Sequence, residues 1–306
     1  MYRKIGLVIV IAIFLLMVSL ASAQDDSTPP ILFDDFSYAT PDDEALRENG
    51  WKIREGEGWP GVQGALWRTE NVSFVEDPDD EDNQLMVFTS SVDGDAIFQT
   101  QICHQRKYYE GTYASRIFFT NEPVTGRDGD NIVQTFYLIS TPELEEKPDY
   151  SEMDYEYLPN GGWGFSDSTF FATSWETYRL EPWFADNESG IKQDDLAGWH
   201  MLVIQVGNDE INYYVDGKHF ATHDKYFYPE VPLSINFNLW FIDGGLIRSS
   251  GLREYTEQID WVFHARDVIL SPDEVLEQVE ALREEDISFV DSVPAWNPEL
   301  ESLCDF

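Results

Sequence analysis

The chain reads as an all-β protein: a two-sheet antiparallel β-sandwich of the jelly-roll class, closed by one short C-terminal helix. Three observations predict this. Apolar and polar residues alternate with a period of two through about a dozen short segments, as strands with one buried face require. Turn residues separate the segments at short intervals, and Asp216-Gly217 is the most favoured hairpin turn among them. Extended helical periodicity occurs once, near the C-terminus, so no helices are available to cover a parallel sheet.

The elements follow in order. Met1-Tyr2-Arg3-Lys4, an apolar run over residues 5–20 and Ala21-Ser22-Ala23 form the basic, apolar and small-residue series of a secretory signal peptide. Residues 1–23 are therefore expected to be removed before Gln24, leaving a secreted, extracellular protein with no membrane attachment. Strands are predicted over residues 31–36, 66–74, 84–90, 111–119, 133–139, 151–158, 169–175 and 200–206. The hairpin 210–215/218–222 and strands 233–241 and 258–264 complete one domain spanning 24–270. Ser271, Pro272 and Glu274 supply a cap, a first-turn proline and a capping box ahead of Val275, Leu276, Val279 and Leu282. Residues 271–306 thus form a helix and a loosely held tail, packed on the domain or trailing it.

Charge and composition narrow the function. The 306 residues carry 58 Asp and Glu against 19 Lys and Arg, a formal net charge of −39. Such a surface repels nucleic acid, anionic lipid and sulfated or uronate polymers, so a polysaccharide substrate should be neutral. Aromatic residues make up 15% of the chain, which excludes disorder and provides flat surfaces for sugar rings. Cys103 and Cys304 could pair and tie the tail to the sheet, or remain two free thiols. No His cluster suits zinc, and His200 reads as a structural histidine in its hairpin. A monomer is expected.

Chemistry concentrates at Ser151-Glu152-Met153-Asp154-Tyr155-Glu156-Tyr157-Leu158. Alternate residues of a strand share a face, so Glu152, Asp154 and Glu156 point one way while Met153, Tyr155 and Tyr157 point the other. Three aligned acids repel one another, a cost that a purely structural strand has no reason to bear. Two carboxyl groups in one cleft are what cleavage of a glycosidic bond requires. Trp163, Trp175, Trp183, Trp240, Tyr137 and Trp59 are candidate sugar-stacking rings. Arg116 and Asn238 are candidate partners for sugar hydroxyls.

These residues resemble glycoside hydrolase family 16, whose mark is Glu-x-Asp-x-Glu on a strand. Leu66-Trp67-Arg68, Tyr109 to Arg116, Gly198-Trp199-His200 with Tyr214-Val215-Asp216-Gly217, Asn238-Leu239-Trp240 and Ile259-Asp260-Trp261-Val262 are similar to further stretches of that family, in its order. Together they cover residues 31–265. The acid motif lacks an inserted residue, which resembles the lichenase and xyloglucan-transglycosylase branch. Ala114 stands where the family commonly has a sugar-contacting Glu.

The resemblance implies a concanavalin-like jelly roll and retaining, endo-acting hydrolysis of a β-linked polysaccharide. It assigns Glu152 as nucleophile, Glu156 as acid/base and Asp154 as their partner. Transglycosylation, or carbohydrate binding without turnover, are the alternatives on the same scaffold. No cofactor is required for the chemistry. Asp260 matches a residue that binds a structural calcium in some members, with carbonyl ligands expected near Asp35 and Asn83.

Overall fold

The computed structural model describes residues 29–141, 146–300 and Cys304; the segment read as a signal peptide lies outside them. Strands in chain order are β1 (Ile31–Asp34), β2 (Trp51–Ile53), β3 (Gly56–Glu57), β4 (Leu66–Trp67), β5 (Val72–Asp77) and β6 (Asp80–Asp93). β7 (Ala96–His104), β8 (Gly111–Phe119), β9 (Ile132–Ile139), β10 (Glu152–Leu158), β11 (Thr169–Arg179) and β12 (Phe184–Gln193) follow. The last are β13 (Gly198–Gly207), β14 (Glu210–Val215), β15 (Lys218–Asp224), β16 (Ser234–Phe241), β17 (Arg253–Arg266) and β18 (Phe289–Asp291). Two α-helices, α1 (Glu44–Glu48) and α2 (Pro272–Glu284), are short.

Two antiparallel layers result, as predicted. The inner layer runs β2-β7-β16-β9-β10-β11-β12. The outer layer runs β5-β6-β17-β8-β13-β14-β15, with β1 and β18 extending it beside β17. β7 belongs to both: its first residues pair with β6, its last with β16 and β2. The sandwich is therefore joined along one flank.

The core lies between the layers. Met153, Tyr155 and Tyr157 of β10 pack there with Phe136, Phe170, Phe237 and Tyr213, all fully buried. A strand that commits its odd residues to the core must send its even residues to the opposite face. The acids are thereby forced onto the free face of the inner layer.

Helix α2 begins as predicted. Ser271 Oγ accepts from Glu274 N, and the Glu274 side chain accepts from Ser271 N. Its buried Val275 and Val279 pack on the far face of the outer layer against Phe33, Ala114, Trp261 and Phe263. The tail is held more firmly than expected, since Cys304 forms a disulfide with Cys103 of β7. Among the described residues no helix is long and apolar enough to cross a membrane.

Candidate active site

The free face of the inner layer carries a cavity of about 520 Å³. Glu152, Asp154 and Glu156 line it together with Tyr137, Trp163, Trp175, Trp183, Asn238, Trp240 and Trp59. The strand registers explain the gathering. Asp154 lies beside Tyr137 of β9 and Thr173 of β11, and Glu156 lies beside Thr135 and Phe171. Side chains facing one another across neighbouring strands converge on a single floor.

Hydrogen bonds distinguish the three acids. Tyr150 Oη, buried at 2% exposure, donates to Glu152 Oε2 at 2.5 Å. Trp175 Nε1 donates to Asp154 Oδ2 at 2.9 Å, while Asp154 Oδ1 is buried without a partner among the described residues. Burial pushes the Glu152 carboxyl up to about 8, aided by the charge of Asp154 and opposed by the Tyr150 hydroxyl. Burial likewise raises Asp154 to about 7, against hydrogen bonds from Trp175 and Thr173. Glu156 is driven well above the usual carboxylate range by burial, then by Asp154 and Glu152, with no hydrogen bond opposing the shift. Glu156 is thus the acid that keeps its proton longest, and Glu152 has a donor that favours its anion.

The predicted rings divide by task. Trp163, 47% exposed, sits at φ 50° in the loop of Gly161 and Gly162. It meets Phe171 edge-on at 5.5 Å and Trp240 at 6.2 Å, forming an apolar platform on one side of the acids. Gly162 holds φ 151°, a conformation that residues with a Cβ rarely adopt, so glycine is what lets this loop turn down to the floor. Trp175 is committed to Asp154 and packs edge-on with Trp183 at 6.3 Å. Asn238 donates to Tyr137 Oη and accepts from Thr135 Oγ1, so it supports the floor as well as lining it.

Arg116 is a correction. Its neighbours Tyr113, Ile117 and Phe119 on β8 enter the core, so it emerges on the outer face of the outer layer, far from the acids. There it stacks over Trp199 at 4.2 Å and pairs with Asp260 at 2.6 Å. Ala114 lies buried under α2 on that same face, so a Glu at this position would not reach a sugar in the cavity.

The calcium expectation at Asp260 also meets a different arrangement. Asn83 is present, donating to Asp260 Oδ1 at 2.9 Å. The carboxylate, however, is 1% exposed and already binds two guanidinium groups, Arg116 at 2.6 Å and Arg283 of α2 at 2.7 Å. Two cations at bonding distance leave no anionic oxygen for a third, so these residues do not fit a calcium ion. His200 is structural as expected, bonded to Asp216 at 2.8 Å.

Tyr150, Thr173, Tyr178, Asn187 and Ser189 are lining residues not singled out in the sequence. Tyr150 had a signal: it continues the even-numbered series of Glu152, Asp154 and Glu156. The others had none in isolation.

A carboxylate triad on the floor of an aromatic-walled cleft, in a curved antiparallel sandwich, defines a carbohydrate-active jelly roll. The profile of Glycosyl hydrolases family 16 matches residues 66–262. The chain belongs to that family and is a glycoside hydrolase. A search of curated protein sequences gives no match. Among solved structures, the family 16 endo-glucanase from Bacteroides ovatus, in complex with G4G3G-2F-DNP, superposes with a TM-score of 0.58 at 16% identity, covering 75% of this chain and 98% of that one. The Bacillus licheniformis β-glucanase gives 0.56 at 16% identity over 78% and 99%. The κ-carrageenase from Pseudoalteromonas carrageenovora gives 0.54 at 13% identity over 81% and 99%. Likeness at this level concerns the fold.

Proposed function

We propose that this protein is a secreted enzyme that hydrolyses a neutral β-linked polysaccharide with retention of configuration. The observation that carries the reading is the unequal set of contacts around the three acids. Glu152, oriented by Tyr150, attacks the anomeric carbon and forms a covalent glycosyl-enzyme. Glu156, which holds its proton longest, delivers it to the departing glycosidic oxygen, then removes a proton from the incoming water. Asp154 lies between them on the same face, fixed by Trp175. The charge of each of these carboxyls acts on its neighbours, so the trio titrates as one unit.

The lining supports a neutral substrate. The cavity wall presents Glu152, Asp154, Glu156 and Asp243, and its remaining side chains are aromatic, apolar or uncharged polar groups. A sulfate or uronate would meet like charge there, whereas a sugar ring finds Trp163 and Trp240 to stack on.

The test compares the wild type with Glu152→Gln and Glu156→Gln on β-glucans, xyloglucan and galactans. One polymer should be degraded, and Glu152→Gln should lose at least about 10³-fold in kcat. Glu156→Gln should recover on aryl glycosides whose leaving group needs no proton. Proton NMR of the first product should show the retained anomer; an inverted product defeats the mechanism.

A further inference from the structure

Hydroxyl groups line the cleft, and several of them have already spent their protons inside the protein. Tyr150 donates to Glu152 at 2.5 Å, and Thr135 to Asn238 Oδ1 at 2.6 Å. Ser189 donates to Thr173 Oγ1 at 3.1 Å, and Thr173 in turn to the Asp154 carboxyl. Tyr137 differs. Its side chain is 4% exposed, yet its hydroxyl donates to no group among the described residues.

That hydroxyl does accept, and it accepts twice. Gln101 Nε2 of β7 donates to it at 2.8 Å, and Asn238 Nδ2 of β16 at 3.3 Å. A phenol has one proton and two lone pairs, so both accepting positions are filled. Neither amide can be turned round to take the phenol's proton. Gln101 Oε1 already accepts from Arg54 Nη1 at 2.8 Å, and a guanidinium can only donate. Asn238 Oδ1 lies 2.6 Å from Thr135 Oγ1, a length that suits O–H···O and is too short for an amide N–H donor. Thr135 Oγ1 also accepts from Asn238 N at 3.2 Å, so its own proton goes to Oδ1. Two hydrogen-bond chains, one from Arg54 and one from Thr135, thus end on a single oxygen. Its proton is left for the cavity that Tyr137 lines.

We propose that Tyr137 is a specificity-determining residue whose hydroxyl donates a hydrogen bond to one sugar hydroxyl, on the ring seated beside the acids towards β16. The register gives this placement. Tyr137 of β9 lies beside Asp154 of β10 on one side and Asn236 of β16 on the other, and its reach to Gln101 of β7 carries the hydroxyl over β16. Burial raises the Tyr137 pKa, and the charge of Glu152 raises it further, so the group stays a neutral donor throughout the working range of the acids. The inference rests on the proposed polysaccharide hydrolysis and names one contact that sorts sugars at that site. A ring with an oxygen at this position satisfies a buried donor. A ring without one seals the donor away from water with nothing to bond, and is rejected. An epimer that carries the oxygen on its other face is rejected for the same reason, so Tyr137 chooses among sugar stereoisomers.

The experiment uses the full mature chain carrying Glu152→Gln, so that binding is read without turnover. Isothermal titration calorimetry is run with pentasaccharides of β-1,3-glucan, mixed-linkage β-glucan and β-1,4-galactan. The tightest binder is then remade with single hydroxyls replaced by hydrogen, one position at a time. Removal of one particular hydroxyl should cost about tenfold in affinity. With Tyr137→Phe added, removal of that same hydroxyl should cost nothing, while every other position keeps its penalty. Phenylalanine leaves Gln101 and Asn238 without their acceptor, so Asn238→Asp serves as a second variant that keeps the phenol. Its carboxylate takes the Tyr137 proton and should likewise erase the penalty at the same position. Equal penalties at every position with and without the Tyr137 hydroxyl, or an Asn238→Asp variant that keeps the full penalty, overturns the assignment. Turnover of the same pentasaccharides is followed separately with the wild type. No turnover, with the coupling to Tyr137 intact, counts against hydrolysis alone; no binding by any pentasaccharide overturns both readings.

Discussion

Replacing Tyr150 by Phe removes a single oxygen from the site. The ring remains edge-on to Tyr178 at 4.9 Å, so packing beneath the acids is kept. What is lost is the 2.5 Å donor to Glu152 Oε2. A hydrogen bond to a charged group is worth about 1.5–3 kcal/mol, and a pKa shift of one unit corresponds to about 1.36 kcal/mol. Water entering the vacated space returns part of this, so the anion of Glu152 should become harder to form by roughly one unit. Because the hydroxyl lowers the Glu152 pKa, its removal pushes the carboxyl further in the direction that burial already drives it. The nucleophile must be ionised, so the acid limb of the pH profile of kcat/KM moves to higher pH. At a pH below both limbs the variant should be about tenfold slower, and the difference should shrink as pH rises. Since the hydroxyl is spent on the reacting carboxylate, kcat should carry most of the change and KM should move less. Full pH profiles of both enzymes on one soluble substrate decide the matter. An acid limb that stays in place, or moves to lower pH, would refute the role given to Tyr150.

Other expectations concern stability. Glu257 of β17 points into the core beside Tyr255 and Ile259, is fully buried, and neither carboxyl oxygen has a partner among the described residues. Burial raises its pKa well above the ordinary value of 4.5. A raised carboxyl contributes stability below its unfolded pKa and loses it as pH climbs towards the folded value, so Glu257→Met should gain on wild type between pH 4 and pH 8. A gain of about 1–3 kcal/mol near neutrality is expected in thermal melts, and a gain that does not grow with pH would count against it. Arg283→Ala withdraws one of the two cations from the buried Asp260, and with the arginine 31% exposed a loss of about 1–2 kcal/mol is expected by denaturant titration. Because guanidinium groups hold this carboxylate, EDTA or added calcium should leave the melting temperature unchanged; a rise with calcium would restore the metal reading.

The catalytic strand was legible because its information is local. Alternation at Glu152, Asp154 and Glu156 specifies a shared face whatever else the chain does, and Met153, Tyr155 and Tyr157 had to supply the buried one. The hairpin at Asp216-Gly217 and the capped start of α2 were legible for the same reason. Arg116 shows where such reasoning ends. Period two says that Arg116 and Ile117 face opposite ways, but not which face belongs to the cleft or which layer the strand joins. The pairings of β8 with β13 and β17 settle that, and they link residues far apart in sequence. The cover over β7 was invisible for a related reason, since Arg54, Pro60 and Gly61 each look ordinary alone and meet Gln99 and Gln101 only in the folded chain.

The strand shared by both layers has a mechanical consequence. With β7 bonded into each sheet, the sandwich resembles a book bound along one spine, and its pages cannot part there without breaking ladder hydrogen bonds. Any separation of the two layers must begin at the fore-edge, where β12 pairs with β11 and most of its side chains meet solvent. Rigidity and compliance are thereby allotted to opposite margins of the sandwich: the bound margin holds the layers together, and the free margin is the first to fray.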